Sequence, residues 1–223
     1  DFYRDLFWTG QRTAIVSLFL FCAGAGQGLA EAAGLGWAHF FSRWWRVLAC
    51  ALLVSAGSWW MFPRSWISFG VLHGMAVMLL LVRLLAGWRL PLALVLLLSA
   101  VCLLLPWSGG HAFFDSRWTN WVGLVTHKPI TEDYVPLLPW LGAMLIGSQA
   151  GLAWARRAGP GLGVGARLAD RGGPAGPLAP FSSLTPILRG LAWLGRRPLS
   201  YYMLHQPVLI GLLTAWLAVR PAG

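Results

Sequence analysis

The chain has 223 residues, 57% of them hydrophobic and only 11% charged, with a mean hydropathy of +0.64. A soluble domain carries about 45–50% apolar and about 25% charged residues, so there is too little polar surface here to cover a water-facing globule. The 15 Trp and 11 Phe exclude a disordered chain, which is poor in aromatics. What remains is an all-α, polytopic transmembrane helix bundle, read as a single domain over residues 1–223. The formal charge of +10, from 17 Lys+Arg against 7 Asp+Glu, fits positive-inside loops and anionic lipid head groups. Nucleic acid is not an expected partner, because the basic residues punctuate apolar runs and form no basic face.

Six apolar stretches are long enough for a bilayer core of about 30 Å, which takes about 20 helical residues. In order they run from about Gln11 to Ala33, Trp45 to Phe62, Trp66 to Gly87, Leu90 to Trp107, Pro136 to Ala155 and Pro198 to Val219. The fourth holds nine Leu and two Val. At about −0.5 kcal/mol each, these contribute about −5 kcal/mol to insertion. A cytoplasmic turn between the first two spans places 11 of the 17 basic residues inside, among them Arg43, Arg83, Arg89 and Arg156. Six remain outside, which is the expected positive-inside bias. Asp1 then lies outside, so a leading segment is expected before it. Trp44, Trp45, Trp59, Trp60, Trp66, Trp88 and Trp107 fall at span ends, as an interfacial aromatic belt does. Cys22, Cys50 and Cys102 lie in apolar runs without CxxC or Cys/His spacing, and read as buried thiols, neither disulfide nor metal site.

Two loops are long. The outer one, about residues 108–135, carries His111, Asp115, Trp118, Trp121, His127, Glu132 and Asp133. The inner one, about 156–183, is rich in Gly, Pro and Arg and reads as a linker without a phosphate-binding GxxxxGK[ST] pattern. Residues 183–194 after it suit a short amphipathic surface helix.

Ionisable groups inside spans are the functional candidates, because burying them in hydrocarbon costs several kcal/mol unless they are paired or wet. His73 stands about seven residues into the third span, between Gly70 and Gly74. It is either a base or substrate ligand, or a histidine whose hydrogen bond fixes packing. His205 follows Tyr201 by four residues and precedes Gln206 and Pro207. Pro207 removes a backbone donor, so a broken helix facing a cavity is expected there, the alternative being a simple kink. At 1.5 Å per residue, His73 lies about 10 Å below the outer surface and His205 about 10 Å above the inner one. Asp133, Tyr134 and Trp140 at the outer mouth combine a carboxylate with aromatic rings, as a sugar site does; a polar loop capping a helix is the other reading. The glycine pairs Gly24–Gly28 and Gly147–Gly151 read as helix packing. No G-x-S-x-G, HExxH or dinucleotide fingerprint occurs.

The segments RTAIVSLFLFCAGAGQGLA, ISFGVLHGMAV, DYVPLLPWLGAMLIG and LGRRPLSYYMLHQPVLI, in this order and spacing, resemble the bacterial branch of the heparan-alpha-glucosaminide N-acetyltransferase family. The resemblance implies a multi-pass bacterial inner-membrane protein that moves an acyl group from cytoplasmic acyl-CoA to a sugar or glycolipid acceptor on the outer face. It implies His205 and His73 as proton handlers, with Arg12, Asp133, Tyr134, Trp140, Gln206 and Tyr201 toward the acceptor. Arg156, Arg157, Arg196 and Arg197 would attract the phosphates of acyl-CoA, a co-substrate and not a tightly bound cofactor. Family members begin with a further helix bearing an RG…H pattern, and this sequence would start just after it. The second expectation is a non-catalytic accessory subunit of a larger membrane complex, since a fold does not by itself fix a function.

Overall fold

In the computed structural model the described residues are 6–131, 133–158 and 198–219. They are all-helical, with no strand among them. The helices are α1 (Leu6–Ala32), α2 (Trp37–Met61), α3 (Val71–Gly87), α4 (Leu92–Leu104), α5 (Trp140–Ala158) and α6 (Pro198–Val219). The chain divides into two compact units, Asp1–Arg171 and Gly172–Gly223.

In the first unit α1 and α5 pack backbone to backbone. A Cβ on Gly24 would collide with the carbonyl of Met144, and one on Gly28 with that of Ser148. Gly147 and Gly151 meet the carbonyls of Phe21 and Ala25 in the same way. Small residues one turn apart on both helices permit this approach, so the sequence pairs mark the seam itself. α4 lies on α5, and α2 pairs with α3. The core draws Leu20 from α1, Val47 and Ala51 from α2, Met78 and Val82 from α3, Val95 from α4, and Met144 and Leu145 from α5.

Short turns close one end. α1 stops in a left-handed Gly34 (φ 68°), with Leu35 N–H donating to Ala30 O at 3.0 Å and Gly34 N–H to Glu31 O at 2.9 Å. This pair of hydrogen bonds satisfies carbonyls that the helix end leaves bare. Arg83 of α3 donates to Leu35 O and lies 5.3 Å over the Trp37 ring, joining the same turn. The α3–α4 turn instead puts Arg89 at φ 49°, a conformation that a side chain with Cβ rarely adopts.

Several sequence expectations change. Among the described residues only Phe7–Ala32 is both long and apolar enough to cross a membrane by length and composition; Val71–Gly87 and Leu92–Ser108 are apolar but shorter. The third apolar stretch becomes helical only at Val71, not Trp66, because the residues before it form a loop. Trp44 is half-buried and donates from Nε1 to Ala76 O at 2.8 Å, so it ties α2 to α3 instead of anchoring in lipid. Of the three thiols only Cys102 is buried; Cys50 is half-buried and Cys22 exposed, because an apolar run does not reveal which face is covered. In the second unit α6 continues through Pro207 without the expected break, since a helix can lose one hydrogen bond and carry on. The expected amphipathic helix at 183–194 lies outside the described residues.

Candidate functional site

The N-terminus of α3 gathers two of the sequence candidates. Its first N–H, from Val71, donates to Asp133 Oδ2 at 2.7 Å. Asp133 is 62 residues away in the chain, so a loop carboxylate supplies the cap that the helix's own Gly70 cannot. A Cβ at position 70 would meet that same Asp133 oxygen and the Ile67 side chain, so a larger residue there would displace the capping carboxylate. Burial pushes the Asp133 carboxyl above its ordinary range, opposed by the Val71 hydrogen bond and the Lys128 charge. Thr131 Oγ1 donates to Trp66 O and Asp133 O, both at 3.2 Å, fixing the loop on which Asp133 sits.

His73 stands one turn into the same helix. Gly70 N–H donates to its Nδ1 at 3.4 Å, and its Nε2 is 3.2 Å from Ser55 Oγ. Ser55 Oγ donates to Ile67 O at 2.6 Å, which leaves its lone pair to accept. The hydrogen therefore belongs on Nε2, and Nδ1 is the acceptor. Ser58, one turn along α2, accepts from Ile67 N–H at 3.0 Å. Two serines thus satisfy both backbone groups of Ile67 and hold the loop before α3. The weak point is the long Gly70–Nδ1 bond, at the outer limit of hydrogen-bond distance.

Over this helix end lies the long loop, folded as 3-10 turns at Leu105–Ser108, Ala112–Asp115 and Asn120–Val122. Tyr134 donates its hydroxyl to Asn120 O at 2.7 Å. Burial pushes the Tyr134 phenol up to about 12, so it stays a neutral donor and is no base. Leu137 N–H bonds Trp121 O at 2.7 Å, and Leu138 N–H bonds Val122 O at 2.9 Å. The Phe69 ring lies between His73 and Trp121, with centroids 5.9 and 6.2 Å away. Asn120 is 2% exposed, and its side-chain oxygen has no hydrogen-bond partner among the described residues. Trp140 opens α5 and is half-buried. Further out, Asp115 accepts from Thr126 N–H at 2.8 Å and Thr126 Oγ1 at 2.6 Å, which draws its carboxyl below the ordinary range.

The opposite end is built differently. A cavity of about 340 Å³ opens where α1, α3, α4 and α5 end or begin. Glu31, Arg89, Gln149 and Arg156 line it with Leu85, Leu92 and Leu152. Arg156 and Arg157 are exposed in the last turn of α5, and only Arg156 reaches this lining.

Of the other candidates, Arg12 is exposed near the start of α1. Tyr201, His205 and Gln206 all lie on α6, in the second unit. Arg196 and Arg197 fall outside the described residues. Sequence reasoning did not single out Ser55, Ser58 and Asn120. The serine pair at i, i+3 within an apolar helix was the available signal; Asn120 offered none.

The described residues are all-helical, with one clear membrane-length helix among them and a polar cluster at the start of α3. The model of the heparan-alpha-glucosaminide N-acetyltransferase catalytic region matches residues 1–207, and the chain belongs to that family. No curated protein and no solved structure matches it.

Proposed function

We propose that the chain is a multi-pass enzyme of the bacterial inner membrane, transferring an acyl group from cytoplasmic acyl-CoA to the amine or hydroxyl of a sugar-type acceptor on the outer side. The family match over 1–207 carries this reading. Multi-pass insertion is supported by exposed apolar faces on three helices: Ile15, Leu18 and Phe19 on α1, Leu52, Leu53 and Trp60 on α2, and Leu96, Leu97 and Leu104 on α4. Surfaces of this extent are rare on soluble monomers. The basic residues Arg83, Arg89, Arg156 and Arg157 gather away from Asp133, which suits a cytoplasmic end.

In the reaction a base takes the acceptor's proton, the freed nitrogen or oxygen attacks the thioester carbonyl, and CoA leaves as the thiol on taking up a proton. His205 and His73 are the proton handlers. At His73 the acceptor atom is Nδ1, reached by displacing the 3.4 Å bond from Gly70. Asp133, Tyr134 and Trp140 offer the acceptor a carboxylate and rings, with Arg12 as a further contact. Arg157, Arg196 and Arg197 draw in the CoA phosphates.

The second reading, a non-catalytic subunit, is favoured by one observation: both ring nitrogens of His73 are already engaged within the fold. Acetyl-CoA turnover by the purified full chain in detergent, with an amino sugar as acceptor, decides between them. The enzyme reading predicts CoA release that falls at least about 100-fold in His205→Ala or His73→Ala. Equal rates in the wild type, in both variants and without protein would overturn it.

A further inference from the structure

The cavity at the Arg89 end carries charges of both signs. Glu31 comes from the last turn of α1, Arg89 from the α3–α4 turn and Arg156 from the last turn of α5. Among the described residues no ion pair joins Glu31 to either arginine, so the three face the same space without neutralising one another in contact. Gln149 adds an amide, and Leu92 and Leu152 supply apolar wall. Its volume of about 340 Å³ is that of a small-ligand pocket. Arg89 reaches it from a left-handed backbone (φ 49°), where glycine would be the unstrained choice.

A simple polyanion would meet two guanidinium groups but also the Glu31 carboxylate. A neutral apolar ligand would leave all three charges unanswered. A ligand with a phosphate and a hydrogen-donating ammonium a few ångströms apart matches every charged group present. Acyl chains attached to it would continue along the exposed apolar face of α4, which starts at the cavity with Leu92 and goes on through Leu96 and Leu97.

We propose that this cavity holds the head group of a phosphoethanolamine lipid, with Arg89 and Arg156 on the phosphate and Glu31 on the ammonium. The inference rests on the membrane placement above and not on acyl transfer, so a catalytically silent chain would still show it. The lipid would fasten the ends of α1, α3, α4 and α5 together.

The test is lipid retention by the full chain, delipidated in detergent and titrated with phosphatidylethanolamine, phosphatidylglycerol or phosphatidylcholine, read by native mass spectrometry. Phosphatidylethanolamine is expected to bind about tenfold more tightly than the other two, because phosphatidylglycerol lacks a cation and the choline group lacks N–H donors. Arg89→Gly, which suits the left-handed backbone, should weaken it about tenfold, and Glu31→Gln should erase its advantage over phosphatidylglycerol. Unchanged thermal unfolding of both variants without lipid, or a higher midpoint for Arg89→Gly, separates lost binding from lost folding. Equal retention of the three lipids would overturn the proposal, as would competitive displacement of phosphatidylethanolamine by CoA.

Discussion

The two ends of the first unit use polar residues in opposite ways. At the start of α3 nearly every polar group is matched within the protein: Asp133 caps Val71, His73 bridges Gly70 and Ser55, and Ser55 and Ser58 between them satisfy Ile67. At the end of α3, Glu31, Arg89 and Arg156 line a shared cavity without forming ion pairs among themselves. The first arrangement positions a helix terminus and its histidine. The second leaves charge available to a ligand. Reading residue types alone would rank the first end as the more reactive, whereas the hydrogen bonds show that its groups must first be released.

The largest effect should come from the seam that supports both ends. Gly28→Val would drive side-chain atoms into the Ser148 carbonyl and should cost about 3 kcal/mol, seen as a lower unfolding midpoint in detergent and loss of both sites together. Asp133→Ala removes the cap on Val71 and should cost about 1–2 kcal/mol. It should do so without weakening lipid retention at the other end; a parallel loss there would mean that the two ends do not act separately.

Arg89→Gly should do the reverse, raising lipid-free stability by up to about 1 kcal/mol by relieving the left-handed backbone. A destabilised variant would show that the Arg89 side chain makes a structural contact. The smallest effects are those of pH. Burial raises the Asp133 pKa, so its favourable contribution is present with the group protonated and is lost as pH rises from about 3.8 through the raised value. Asp115 has the opposite sign: the Thr126 bonds lower its pKa, and its contribution is lost as pH falls below about 3.8 through the depressed value. Unfolding midpoints of Asp133→Asn and Asp115→Asn across pH 3–7 should therefore diverge from the wild type in opposite directions.

Much of this was legible from apolar runs and spacing. Each of the six stretches falls on one helix, although α1 and α2 begin before their stretches and α5 runs past its own, and Gly24, Gly28, Gly147 and Gly151 fall on the backbone contact of α1 with α5. The sequence left open that the outer-mouth loop caps the helix it leads into; Asp133 instead caps α3, which lies 62 residues earlier in the chain. What the sequence hid was direction. Nothing in SRWWRV distinguishes Trp44, turned onto Ala76, from exposed Trp45. Likewise the run around Cys22 looks as buried as that around Cys102, although only the latter is covered. Arg89 stood out only as a basic loop residue, because its positive φ arises from the short turn that joins two packed helices.

The difference between the ends matters functionally only if a membrane separates them. Single thiols introduced by Ile130→Cys, at a site 84% exposed in the long loop, and by Arg157→Cys, at the end of α5, test this directly once Cys22, Cys50 and Cys102 are replaced by alanine. A membrane-impermeant maleimide applied to intact cells should label position 130 at once and position 157 only after permeabilisation. Labelling of both from the same side would contradict the proposed transmembrane arrangement, and with it the proposed division of acceptor and donor between the two ends.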